Sequence, residues 1–160
     1  FDDPRYQLVL GNHDAVMSGS NGVPELFRVE ADRMKLHFFH GHQLDPLARG
    51  DAPLSRLSIW LGGWLERIGL GITQIADQVE GKLARDGHDI DPGRFEKGAV
   101  AMGVADGADI VVTGHTHRAA RAEIGSTLYM NSGTCVSGRR GMLILDTTSK
   151  RFEVIETLAV

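Results

Sequence analysis

Residues 108–117 read Ala-Asp-Ile-Val-Val-Thr-Gly-His-Thr-His: an apolar run, a glycine, then two histidines one residue apart. The run Ala108–Thr113 has the length and composition of a buried strand, and the pattern of Arg94–Ala105 predicts a helix before it. Helix followed by strand is the rhythm of an α/β fold. Alternate residues of an extended chain share a face. His115 and His117 therefore reach a common site if the segment stays extended past Thr113. Neutral imidazoles suit Zn, Fe and Mn among the divalent metals. A histidine pair on a surface arises readily by chance, but at the end of a buried strand decoration is a poorer explanation.

The same arrangement occurs twice upstream. Tyr6–Leu10 (YQLVL) reads as a short buried parallel strand and leads into Gly11-Asn12-His13-Asp14. Met34–Phe39 (MKLHFF) reads as another strand and leads into His40-Gly41-His42, after a turn-rich stretch containing Ser18-Gly19-Ser20-Asn21-Gly22 and Pro24. Five of the seven histidines lie in these three clusters. Gly11 lets the backbone turn sharply at a strand end. Asn12 offers a neutral carbonyl oxygen, a tolerable metal ligand beside imidazoles. His13 is then free to act as a general acid or to meet a phosphoryl oxygen, and Asp14 is placed to fix its tautomer. The plainer reading of the same residues is an Asn-based turn with a capped helix behind it. His40, nearer its strand than His42, is the expected ligand, with His42 behind it or facing substrate. His37 within the strand and His88 in a polar stretch carry no such expectation.

Downstream, Arg121–Ile124, Thr127–Met130, Met142–Asp146 and Phe152–Glu156 read as successive short strands. The last two are joined by Thr147-Thr148-Ser149-Lys150, which predicts antiparallel pairing. Residues 53–98 interrupt the pattern with two amphipathic stretches, Leu54 to Ile68 and Ile72 to Leu83, separated by Gly69 and Gly71. Arg56, Glu66 and Arg67 cut them short of the roughly 20 apolar residues of a membrane span. They either pack on the core or form a lid or membrane-facing cap. Most such stripes are core, which favours the first alternative; Trp60 and Trp64, one helical turn apart, are what speaks for the second.

At 160 residues the chain is one domain in length, with 42% hydrophobic and 24% charged residues typical of globular proteins. The net charge of −4 disfavours a nucleic-acid-coating surface, which is normally basic. A single cysteine, Cys135, excludes an intrachain disulfide and fits a reducing, cytoplasmic compartment. The polar start FDDPRYQ does not resemble a secretory leader. With Phe1 in place of Met and a strand expected from Tyr6, the sequence reads as beginning inside a larger domain.

Taken in order, GNHD, a His-Gly pair and GHTH resemble the later motifs of the calcineurin-like metallophosphoesterase superfamily, over most of the chain outside 53–98. The resemblance implies an α/β fold, a β-sandwich flanked by helices, present as its C-terminal part. It implies two divalent metal ions, Mn, Fe or Zn. Asn12, His40 and His115 would bind one, His117 would bind the other, and His13 would be the catalytic histidine at the phosphate. The stretches HGHQLDP, GHTHRAA and YMNSGTCV, with helices inserted between the second and third motifs, look like the UDP-2,3-diacylglucosamine hydrolase branch, which cleaves a lipid-linked diphosphate. Two departures stand out: His-Gly-His where that branch has His-Gly-Asp, and Thr134-Cys135 where it has an Asp-Trp pair.

The superfamily also uses an Asp-x-His and a Gly-Asp-x-x-Asp motif ahead of these three, and neither occurs before residue 11. Gly50-Asp51 is out of order and lacks the second aspartate. A bridging carboxylate holds the two cations about 3.5–4 Å apart, so the expectation is a single incomplete domain over 1–160, not competent alone. The missing strands would also leave a sheet edge uncovered. The expected activity of the completed domain is hydrolysis of a phosphoester or phosphoanhydride. Its substrate would be a phosphorylated small molecule or lipid, met by His42 and Arg118, with peripheral membrane contact through 54–83. The contrasting expectation is a metallophosphoesterase fold kept as a binding scaffold without catalysis. A nuclease is disfavoured by the acidic balance and by the apolar insertion.

Overall fold

The structure is a computed structural model that describes residues 3–14, 22–44, 92–135 and 138–158. The helical segments expected over 54–83, with Trp60 and Trp64, lie outside the described residues. Five strands form one mixed sheet in the order β1-β2-β3-β5-β4, with β1 Leu26–Ala31, β2 Met34–Phe39, β3 Ile110–Thr113, β4 Ala119–Ile124 and β5 Thr127–Ser132. The three inner strands are mutually parallel, and the two edge strands run antiparallel to them. A separate two-stranded sheet pairs β6 (Arg139–Asp146) with β7 (Arg151–Leu158), antiparallel as its polar turn predicts.

The period-two alternation of the inner strands builds both faces of the large sheet. Leu36, Ile110, Leu128 and Met130 point to one side and bury themselves against Leu143, Leu145, Phe152 and Val154 of the β6–β7 hairpin. Phe39, Val111 and Tyr129 point to the other side and meet Phe95, Ala99 and Val100 of helix α1 (Pro92–Ala105). These three helix residues lie at helical spacing, one stripe facing the sheet. Each fully buried aliphatic or aromatic side chain contributes about 2 kcal/mol by leaving water. The result is an α/β layering of helix, mixed sheet and hairpin. α1 begins at Pro92, a residue suited to a first helical turn, so residues 92–98 belong to the helix packed on the sheet.

Two strands differ from the sequence expectation. Tyr6–Leu10 joins no sheet among the described residues; Tyr6 is exposed, and Leu10 N–H donates to Pro24 O at 3.0 Å. An apolar run becomes a strand only where a neighbouring backbone can satisfy its N–H and C=O groups in succession, and among the described residues no strand pairs with it. Conversely β1 was not expected. Its sequence LFRVEA alternates, and it pairs with β2 across the two-residue turn Asp32-Arg33, where both residues have positive φ. That is the geometry whose twist suits a tight hairpin, reached here without the usual glycine.

Candidate metal and phosphate site

The parallel register of β2 and β3 decides what meets at the sheet's edge. Phe38 pairs with Val112, and just past both strand ends Gly114 N–H donates to His40 O at 3.0 Å. The His-Gly-His and Gly-His-Thr-His loops therefore leave the sheet side by side. The His40 and His115 rings lie 5.3 Å apart, edge to face, and the His40 and His42 rings 5.6 Å apart. Gly-Asn-His-Asp arrives as a short 3-10 turn, Asn12–Asp14, which brings Asn12 Oδ1 to 2.9 Å from His40 Nε2. Three motifs distant in sequence thus converge through Asn12, His40 and His115.

Their glycines make room for one imidazole. A Cβ on Gly11 would stand 3.2 Å from His40 Nδ1, and one on Gly114 3.5 Å from the same atom. Gly41 has φ +104, and a Cβ there would reach 2.7 Å from Phe95 Cζ. Phe95, buried on α1, stacks on His115 with ring centroids 6.2 Å apart. The helix that closes one face of the sheet therefore also backs a site histidine.

The Gly-His-Thr-His segment is not extended, contrary to the condition under which His115 and His117 were expected to share a strand face. His115 and His117 have φ of 65 and 54, and Thr116 N–H donates to Gly114 O at 2.8 Å in a tight turn. Left-handed backbone is uncommon for residues other than glycine, costs of order 1–3 kcal/mol and persists where surrounding contacts determine it. Those contacts include Asn131 at the end of β5, which is fully buried. Its Nδ2 is 2.6 Å from Gly114 O and 3.2 Å from both Thr113 Oγ1 and Thr116 Oγ1, while its Oδ1 accepts from Gly133 N–H at 2.9 Å. Phe95 and Asn131 were not among the residues expected from sequence. Nothing local to α1 marks the first; a buried amide next to the turn-forming Ser132-Gly133 is the signal for the second.

Asp14 Oδ2 accepts from Gly11 N–H at 2.9 Å, so one of its oxygens closes the turn that presents Asn12. His13 lies on that turn, and its side chain is outside the described part of the structure. His42 opens a second 3-10 turn, His42–Leu44; its Nδ1 is buried with no hydrogen-bond partner among the described residues, and burial lowers the pKa of its imidazole. His117 is half-buried and Arg118 exposed.

The donor chemistry fits one divalent cation in part. Two ligands at right angles, each about 2.1 Å from an ion, stand about 3 Å apart, and Asn12 Oδ1 and His40 Nε2 are separated by 2.9 Å. Nitrogen donors with one amide oxygen suit Zn, Fe or Mn. Among the described residues no three His, Cys, Asp or Glu side chains gather as a metal cluster. Asn12, His40 and His115 are thus the described residues that could hold one ion, as neutral donors, and no cluster of three such side chains forms around His117 among the described residues.

No family model matches the sequence, and no curated protein matches it. Among solved structures the chain is similar to an archaeal phosphodiesterase, with 19% identity over 89% of this chain and 56% of that one, TM-score 0.43. It is similar to a predicted phosphoesterase from Streptococcus pneumoniae, with 20% identity over 98% of this chain and 66% of that one, TM-score 0.46. It is also similar to vacuolar protein sorting 29 from Cryptosporidium parvum, with 21% identity over 94% of this chain and 67% of that one, TM-score 0.39. The chain thus spans less than two thirds of the length of the first two.

Proposed function

We propose that this chain carries part of the active site of a metal-dependent hydrolase acting on a phosphoester or phosphoanhydride, of the calcineurin-like metallophosphoesterase type. The observation that carries the reading is the convergence of Asn12, His40 and His115, with the first two donor atoms 2.9 Å apart. In this reading Asn12, His40 and His115 hold one divalent ion, Mn, Fe or Zn, and His117 belongs to a second. The chemistry supplied by such ions is Lewis-acid stabilisation of charge on the phosphoryl oxygens.

The chain's own residues do the rest. Gly11 and Gly114 leave His40 its space, and Phe95 backs the ring of His115. His13 delivers the proton to the leaving oxygen as general acid. Asp14 keeps the turn closed so that Asn12 and His13 are presented together. Arg118, exposed beside the loop, meets a substrate phosphate or carboxylate with its paired N–H groups, and His42 faces the substrate. The substrate class is a phosphorylated small molecule or lipid, including lipid-linked and nucleotide-sugar diphosphates as in the UDP-2,3-diacylglucosamine hydrolase branch. Contact with a membrane surface would run through residues 54–83; no helix of the described residues is long and apolar enough to cross a membrane.

In this reading the anionic ligands lie beyond the described residues, as Asp-x-His and Gly-Asp-x-x-Asp segments on the same chain or a partner. In the protein completed in this way, His13→Ala should abolish hydrolysis of bis(p-nitrophenyl) phosphate and leave metal content unchanged. Loss of metal together with turnover would reassign His13 to a structural role. Two metal equivalents and rapid turnover in the 160-residue chain alone would overturn the requirement for added ligands.

The scaffold reading is favoured by one observation, that no three His, Cys, Asp or Glu side chains gather as a metal cluster among the described residues. A completed protein that binds no divalent metal at millimolar concentration would decide in its favour.

A further inference from the structure

The two histidines of Gly-His-Thr-His occupy backbone conformations that are costly for their residue type, with a glycine carbonyl turned inward between the strand end and the first of them. Thr116 N–H donates to that carbonyl from within the turn at 2.8 Å, and the Asn131 amide reaches it from the neighbouring strand at 2.6 Å. Asn131 is completely buried at the end of the neighbouring parallel strand, where Thr113 pairs with it in the ladder. Its Nδ2 carries two hydrogens and faces four oxygens: Gly114 O at 2.6 Å, Thr113 Oγ1 and Thr116 Oγ1 at 3.2 Å, and Tyr129 Oη at 3.3 Å. Only two can be served at once. The shortest contact takes one hydrogen, and the three hydroxyls share the other.

The amide cannot be reversed. The Gly133 N–H, 2.9 Å from Oδ1, needs an acceptor, and the Gly114 carbonyl, which also accepts from Thr116 N–H at 2.8 Å, lies 2.6 Å from Nδ2, a distance that needs a hydrogen between the two atoms. A flipped side chain would set donor against donor and acceptor against acceptor. Asn131 is therefore matched at both ends, on one side to its own strand's exit and on the other to the histidine loop.

We infer that Asn131 is the positioning residue of the site: its amide clamps the Gly114 carbonyl and so holds His115 and His117 in left-handed backbone. The clamp acts on the loop without touching ligand or substrate. Its consequence for metal binding rests on the hydrolase reading above; its consequence for the loop does not.

Asn131→Asp is the sharpest test, because it keeps the acceptor toward Gly133 and replaces Nδ2 by an oxygen, to which the neighbouring hydroxyls can donate but the Gly114 carbonyl cannot. Asn131→Ser, too short to span the gap, repeats the loss without a buried charge. Thr127→Val is the control: it removes a different buried hydrogen bond, from Oγ1 to Ala108 O at 3.2 Å, at the opposite end of the same strand. The readouts are the Cα chemical shifts of His115 and His117 in the metal-free protein and the Mn2+ affinity by calorimetric titration.

Both Asn131 variants should move the two histidines' shifts away from left-handed values and weaken Mn2+ binding at least tenfold, while Thr127→Val leaves both readouts as in the parent. Unchanged shifts in the Asn131 variants would overturn the clamp. So would failure of both variants to fold while Thr127→Val folds, since Asn131 would then be a core residue. With the measurements made on the completed protein, displaced shifts where the parent binds no Mn2+ would uphold the clamp and remove the hydrolase reading.

Discussion

His37 and His42 stand one strand end apart and share a physical condition. His37 is 3% exposed within β2; burial lowers its pKa, Arg28 and Lys35 push the same way, and Asp106 opposes them. His42 is lowered by burial first, with His115 adding to the effect and Glu25 opposing it. In the unfolded chain such imidazoles take up a proton near pH 6.5. Below that pH the unfolded state therefore binds protons that the folded state refuses, and folding weakens as pH falls. Stability of the metal-free protein should be flat above about pH 7 and decline from about pH 6.5 toward pH 5, ahead of the carboxylates. In His37→Gln the decline should be shallower. Urea denaturation at successive pH values measures this, and an unchanged slope in the variant would show that His37 is not one of the groups responsible.

At the scale of elements, the β6–β7 hairpin is held to the sheet's second face by Leu143, Leu145, Phe152 and Val154, and by one close backbone approach. Gly141 N–H donates to Thr134 O at 2.9 Å, and a Cβ on Gly141 would fall 1.9 Å from Ser132 O. No rotamer relieves a clash between a Cβ and a backbone oxygen. Gly141→Ala should cost about 3 kcal/mol, the upper part of the range for overpacking, read as a lowered denaturation midpoint. A loss below about 0.5 kcal/mol, the scale of an ordinary surface substitution, would mean the hairpin sits further from β5. At the other end, the hydroxyls of Thr147 and Thr148 donate to Asp32 Oδ2 at 2.6 and 2.9 Å, tying the β6–β7 turn to the β1–β2 turn.

These elements also show what a sequence makes legible. Met34–Phe39 and the final hairpin stood out because alternation and turn chemistry are local. β1 did not, since its turn uses Asp32-Arg33 where a reader looks for glycine, although the alternation of Leu26–Ala31 was there to be seen. Tyr6–Leu10 misled for the opposite reason: its composition is that of a strand, and strand formation depends on a neighbour that composition does not reveal. The site divides in the same way. That Asn12, His40 and His115 approach one another follows the order of the motifs at strand ends, whereas Phe95 and Asn131 reach them only through tertiary packing.

For the whole molecule, the helix, mixed sheet and hairpin bring the ends of parallel strands to one edge, the usual place for a ligand in an α/β sheet. What the layers deliver there is a set of neutral donors around His40, held by glycines, a buried aromatic ring and a buried amide. Neutral donors bind a cation less tightly than a set that includes carboxylates, so metal affinity should rise when acidic ligands are supplied and vanish when His40 or His115 is removed. The most direct measurement is an anomalous difference map from crystals soaked in Mn2+ or Zn2+. A single strong peak coordinated by Asn12, His40 and His115 is the predicted result. A map without density at that position under saturating metal, or with the ion bound elsewhere, would contradict it.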